Sequence, residues 1–380
     1  MPTHVGSQES GALDVAPRRF THPSAQGAEQ GVLLALLESG WLSSLYPLGR
    51  THGLRALELT LEPGGVIRIL LNGVHLLPEQ LEAVVSGTHR MGEDGLWLDG
   101  QRWSRLLDRV PSATLDLFQQ PGGWRLHVAG GTWLGRPTPL NRSHPPAGVD
   151  PHALRLSLFP DPQATRMRPV RATSTEVTLE VLLEQARMLA LLVPGLQVTL
   201  RAPALGLTRR ACAPHGLVQR VEELSYGQRT VLSQPLFFTA CWQGLRARCA
   251  VQWTEDGRTR IEAFEDGERV GLGDPATTVL THMLRAGVQL CTRRPLSDIP
   301  LPRVLRGLTA VVAIDRVRVP QCSDCVRGSV GPDGPRLLGP AFVSEAVMEL
   351  APMGAEAFAC HPERERLMSW LLDELPLQAS

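Results

Sequence analysis

The sequence predicts an α+β fold built as two domains. A chain of 380 residues has room for two domains of ordinary size. Alternating apolar runs come in pairs joined by Gly- and Pro-containing turns, the pattern of antiparallel hairpins. Between them stand long segments with apolar residues at helical spacing.

Residues 1–25 are polar and read as an arm. From Glu29 to Leu45, Val32, Leu33, Leu36, Leu37 and Trp41 recur at helical spacing and predict one amphipathic helix. A hairpin follows: Leu57–Leu61 alternates, Pro63-Gly64-Gly65 turns, and Val66–Leu70 returns. A second helix is expected over Pro78–Val85 and a third near Arg102–Arg109. Thr114–Phe118 and Trp124–Val128 form the next hairpin, turned by Pro121-Gly122-Gly123.

Residues 135–152 are Pro-rich and read as an exposed insertion. Leu154–Phe159 is a strand, Glu176–Leu192 a strong amphipathic helix and Gln197–Arg201 a strand. The segment Ala202–Leu217 reads as a domain junction. Strands are expected at Pro235–Trp242, Arg246–Trp253 and Arg258–Phe264, with Glu255-Asp256-Gly257 turning the last two into a hairpin. A helix over Pro275–Ala286, the apolar strand Leu308–Ile314 and helices at Ser344–Leu350 and Glu363–Leu375 complete the chain.

Composition narrows the chemistry. A 43% apolar and 20% charged chain fits a folded protein, not a disordered one. No run of 18 or more apolar residues exists, so no membrane span is expected. The N-terminus lacks an apolar signal core, and a cytoplasmic protein is expected. All 38 basic residues are arginine, which excludes a phosphate-loop lysine, a Schiff base or a lysine nucleophile. The acids also number 38, so no global basic field draws in DNA. A DNA contact would need a local patch such as Arg293, Arg294, Arg303 and Arg306.

The seven cysteines are expected as reduced thiols. Cys322 and Cys325 have metal-ligand spacing, and with Cys360 and His361 they would complete a zinc site. The plainer reading of the same residues is loop and core thiols.

Four strings stand in order along the chain: Phe159-Pro160-Asp161-Pro162, Leu192–Leu200, Ala250-Val251-Gln252-Trp253 and Gly307–Ile314. In that order they resemble the ATPase-plus-transducer region of the type IIA topoisomerase family, which includes DNA gyrase B. The resemblance implies a GHKL (Bergerat) α/β sandwich followed by a transducer domain of the ribosomal protein S5 domain 2-like fold. It places the ATPase-like domain at 26–212, the transducer at 213–350 and a C-terminal helix at 351–380.

The resemblance also assigns a nucleotide site, residue by residue. Glu38 falls on the general base that activates water near the phosphoryl group. The two family residues after it, Asp and the Asn that holds Mg²⁺, fall on Trp41 and Leu42. Leu42 offers the metal no oxygen. Asn72 and Gly73 match the second motif, but Leu71 replaces the Asp that accepts the adenine amino group. Leaving that amino group buried without a partner costs about 1–3 kcal/mol, one to two powers of ten in affinity. On the residues alone, Asn72-Gly73 is a turn.

The phosphate loop falls on Gly95–Gly100, where Gly95 and Gly100 remain and Leu98 and Asp99 intrude, or alternatively on Gly87–Gly92. The transducer lysine that reaches the γ-phosphate is absent, and Arg336 in the same region is the residue that would replace its charge, though its fork is not a like-for-like substitute. ATP and Mg²⁺ are the cofactors only if this site still works.

The implied function is a gyrase-B-like module linked to DNA topology that has lost ATP turnover and acts by protein contact, with a topoisomerase subunit or as a homodimer. Trp41, Leu42 and Leu71 would fill the former cleft. An active ATP-hydrolysing topoisomerase subunit, with Glu38 as base and Arg336 on phosphate, is the alternative. An ATP-independent DNA clamp is a third. The family's Toprim metal site is not expected in this chain, so it would not cut DNA by itself.

Overall fold

A computed structural model describes residues 23–51, 53–76, 100–119, 122–140, 149–160, 175–242, 245–271, 273–316 and 340–372. The expected helix over Pro78–Val85 lies outside them.

Helix α1 (Pro23–Glu38) is followed by a 3-10 turn at Trp41–Leu45 and by α2 (Tyr46–Thr51). One continuous helix to Leu45 was expected, and the structure corrects this. Gly40 sits at φ 64°, in the left-handed region, and Gly40 N–H bonds back to Leu37 O at 3.2 Å. A residue in that conformation ends an α-helix, and glycine takes it without a Cβ penalty.

The first sheet gathers β1 (Ala56–Leu61), β2 (Ile67–Asn72), β3 (Ser112–Gln119), β4 (Gly122–Ala129), β5 (Thr132–Trp133), β6 (Thr138–Pro139), β7 (Ala153–Phe159), β8 (Gln197–Ala202) and β9 (Leu207–Cys212). Its order is β5-β4-β3-β7-β2-β1-β8-β9, with β6 on β4. Period-two alternation sends Leu57, Leu59, Ile67, Ile69, Leu154 and Leu156 to one buried face. Each such side chain, fully buried, contributes about 1.5–3 kcal/mol. Helices α1, α3 (Gly100–Asp108) and α4 (Thr175–Leu192) share that core through Leu33, Leu36, Trp103, Leu106, Leu182 and Leu189.

The opposite face of this sheet carries charge. Asp116 on β3 stands in register with Arg125 on β4 and Arg155 on β7. Of the span expected as an exposed insertion, residues 149–152 are instead half-buried. His152 O accepts the Gly73 and Val74 N–H groups at 2.8 and 3.0 Å.

The second sheet holds β10 (Leu236–Trp242), β11 (Leu245–Trp253), β12 (Arg260–Glu265), β13 (Glu268–Val270) and β14 (Leu308–Arg316), in the order β10-β11-β14-β12-β13. The hairpin expected between β11 and β12 does not form. The Glu255-Asp256-Gly257 turn is present, but β14 lies between the two strands, antiparallel to β11 and parallel to β12. Thr254 N–H bonds Gly307 O at 2.8 Å, so the incoming β14 takes the edge of β11 that the hairpin would have used.

Alternation again decides which side chain faces where. Ala247, Cys249, Val251, Ala310 and Val312 join a core with α6 (Pro275–Thr292), α7 (Leu301–Leu305), α8 (Pro340–Ala359) and α9 (Arg364–Leu372). Helices α6 and α8 approach closely at Gly287, where a Cβ would lie 2.7 Å from Phe358, and at Gly354, where it would lie 2.9 Å from Met283. Ala250, Phe264, Val311 and Ala313 face the other way and join the core of the first sheet, together with Leu217 and Val221 of α5 (Leu217–Ser225). One apolar core therefore spans both halves.

Polar contacts complete the junction. Arg248 donates to Leu192 O at 3.0 Å, to the Tyr46 hydroxyl at 2.7 Å and to Asp315 at 3.1 Å, and Tyr46 in turn donates to Asp315. The β12–β13 hairpin closes through Asp266 and Gly267, both at positive φ as a two-residue hairpin loop requires. Gly267 presses on the Tyr46 ring, where a Cβ would come within 2.6 Å. Beside it Glu268 pairs with Arg102 of α3.

Candidate functional site

Glu38 closes α1 with its side chain 61% exposed, and Arg109, just past α3, donates to its Oε2. The helix end sets this geometry: Glu38 is the last residue before the left-handed Gly40 turns the chain inward. Trp41 and Leu42 follow and are buried in the core. The Trp41 ring meets Trp103 of α3 edge-on, with centroids 5.2 Å apart and planes at 74°. Neither indole N–H has a hydrogen-bond partner among the described residues.

Leu71 is 0% exposed in the middle of the sheet, between Leu57 on β1 and Leu154 on β7. Asn72 ends β2, and its Oδ1 accepts from the Asp150 N–H at 3.3 Å. Gly73 turns the chain at φ 82°, so close to the next backbone that a Cβ would stand 2.5 Å from Gly53 O. The His75 and His152 rings meet beyond it, with centroids 4.2 Å apart and planes tilted by 38°. The contacts of Asn72 and Gly73 among the described residues are thus those of a tight turn against a neighbouring strand.

Gly100 opens α3. Gly95 and Arg336 lie outside the described residues, as do Gly87, Gly92, Cys322 and Cys325. Among the described residues no group of three or more His, Cys, Asp or Glu side chains is placed to hold a metal. His361 Nδ1 accepts from the Glu363 N–H at 3.2 Å, and Cys360 is exposed. Of the four arginines expected as a DNA patch, Arg303 spends its Nε on Leu371 O at 2.7 Å, and Arg293 caps α6 at φ 58°. No single helix among the described residues is long and apolar enough to cross a membrane.

Two polar clusters escaped the sequence reading. Asp116, 2% exposed, is held by Arg125 through bonds of 2.6 and 2.9 Å and by Arg155 through two more. Burial alone would raise the Asp116 pKa, but the bonds from Arg125 and Arg155 outweigh it and hold the carboxyl below its ordinary value. The second cluster is Tyr46, Arg248 and Asp315 at the junction. The only signal available for either was a charged residue inside an otherwise apolar alternation.

No protein-family model matches the sequence, and no curated protein does. Solved structures do. The gyrase B protein of Myxococcus xanthus superposes with a TM-score of 0.68 at 23% identity, over 89% of this chain and 93% of that one. The 43K ATPase domain of Thermus thermophilus gyrase B gives 0.61 at 15% identity, over 84% and 83%. The topoisomerase IV ATP-binding domain of Francisella tularensis gives 0.58 at 11% identity, over 90% of each. Identities this low speak for fold alone. The chain has the two-domain α+β fold of the gyrase B and topoisomerase IV ATPase regions.

Proposed function

We propose that this chain is a gyrase-B-like ATPase–transducer module linked to DNA topology, one that has lost ATP turnover and acts by protein contact. The observation that carries this reading is the burial of Leu71. Where the resemblance puts the carboxylate that would accept the adenine amino group, a leucine sits in the sheet core with no accessible surface. Trp41 and Leu42 support it in the same way, as buried apolar groups at the positions of the metal-binding polar pair.

These residues do not fit a magnesium nucleotide, because none supplies an oxygen to the base or to the metal. Glu38, the match to the general base, stands at the exposed end of α1 and is engaged by Arg109. What remains of the module is a framework: two sheets joined by a continuous core, fit to present surfaces to a topoisomerase subunit or to a second copy of itself. Phosphate release from Mg²⁺-ATP tests the reading. The purified protein and its Glu38→Ala variant should release phosphate at the same background rate. Turnover that the variant loses would restore the enzyme.

A further inference from the structure

A groove of about 990 Å³ opens where the two sheets meet. One wall is α4, the other is built from β9, α5 and the β12–β13 hairpin, and the 3-10 turn closes one side. Glu38, Asn72 and Gly73 do not line it. Of the positions that the resemblance assigns to a nucleotide and its metal, Leu42 alone among the described residues lines it.

Its floor is apolar. Leu42, Leu189 and Phe264 present their buried side chains there, and Met188, Leu207 and the 44% exposed Val181 extend the surface toward the mouth. Its charged lining is Arg209, Arg220 and Arg269 with Glu180 and Glu184, and Glu262 stands behind Arg220 and Arg269.

The arginines are unequally occupied. Arg220 is bonded twice to Glu262 at 2.9 Å and once to Glu223 at 3.3 Å, so its donors are largely spent. Arg269, 66% exposed, donates one bond to that same Glu262. Arg209, 52% exposed, reaches Glu180 only at 3.9 Å, an exposed contact that holds little. A guanidinium has five donors. Two of the three rim arginines therefore keep most of theirs for something else.

The hairpin wall is braced from behind. Gly267 lines the groove and packs on Tyr46, whose hydroxyl is bonded to Arg248 and Asp315. Small-molecule sites favour such preformed, mostly apolar clefts at domain junctions, with a few polar groups at the rim.

We propose that this groove binds an amphiphilic anion, with an apolar body on Leu42, Met188, Leu207 and Phe264 and a charged end met by Arg209 and Arg269. The incoming anion replaces Glu180 as the partner of Arg209, and a charge-assisted bond at that rim is stronger than the loose pair it displaces. The inference rests on the lining of this groove, which includes neither Glu38 nor Leu71.

Fluorescence titration of the folded full chain with 1-anilinonaphthalene-8-sulfonate tests it, with the uncharged N-phenyl-1-naphthylamine in parallel. The sulfonate should bind saturably at one site. Replacing both Arg209→Ala and Arg269→Ala should weaken the sulfonate about tenfold or more and leave the uncharged probe within twofold. Val181→Trp, which fills the mouth, should weaken both probes. Absence of saturable binding overturns the proposal, and so does a sulfonate affinity that the double arginine variant leaves within twofold.

Discussion

Arg248 Nη2 donates to the Tyr46 hydroxyl at 2.7 Å, linking a strand of the second sheet to a helix beneath the first. Asp315, 0% exposed, lies between them and accepts from both. A buried carboxylate survives only while its donors remain, because its desolvation cost is large. Arg248→Met leaves Asp315 with the Tyr46 hydroxyl and with Arg246 at 3.6 Å, and should cost about 3–5 kcal/mol of stability. Tyr46→Phe removes one hydroxyl and should cost about 1–3 kcal/mol. Adding Asp315→Leu to Arg248→Met should recover most of the loss. Chemical denaturation midpoints check the order, and a double variant no more stable than Arg248→Met would contradict it.

Asp116 should make the protein acid-sensitive in a defined way. Its pKa in the fold is below the ordinary carboxyl value, so its stabilisation is present above the unfolded pKa of about 3.9 and is lost as pH falls through the folded value. Asp116→Asn should therefore be less stable than the parent at pH 7, with a gap that narrows as pH drops below about 4. Denaturation at a series of pH values gives the answer. A gap constant from pH 7 to pH 2 would show that charge on Asp116 contributes nothing.

Gly73 is held by its backbone and not by a ligand. Alanine there meets both a left-handed φ of 82° and the Gly53 carbonyl at 2.5 Å. Gly73→Ala should cost about 2 kcal/mol or more in denaturation experiments. A variant as stable as the parent would mean that the turn is looser than the geometry implies.

Thiol labelling separates the cysteines by burial. Burial pushes the Cys249 thiol far above its ordinary pKa, so its reactive thiolate is scarce. Cys212, Cys241 and Cys360 are exposed. Brief iodoacetamide treatment of the native protein, read by peptide mass spectrometry, should modify those three and spare Cys249. Prompt labelling of Cys249 would place it outside the core of the second sheet.

Local periodicity made much of the fold legible. The β1–β2 hairpin, β3 and β4, the long α4 and the apolar β14 all follow from alternation or helical spacing, because one face of each is buried. The failures have physical causes. Apolar spacing ran straight through Gly40, and only its left-handed backbone shows that α1 stops there. Glu255-Asp256-Gly257 has proper turn chemistry, yet β14 arrives from some fifty residues downstream to separate β11 from β12. Strand β9 was missed because Thr208, Arg209 and Arg210 are all exposed on an edge and do not alternate.

The site was less legible than the fold. Glu38 could be picked from its helix, but Arg109, 71 residues away, could not. Asp116 looked like one polar residue in a strand until register set Arg125 and Arg155 beside it. Pairings of this kind depend on strand order, which no local pattern encodes.

Calorimetric titration with a non-hydrolysable ATP analogue and Mg²⁺, on the parent and on Glu38→Ala, tests the central claim most directly. With Leu71 and Leu42 buried where a nucleotide and its metal would need oxygens, no binding heat should appear at millimolar nucleotide. Binding at micromolar strength would contradict the account and make this chain a working ATPase module.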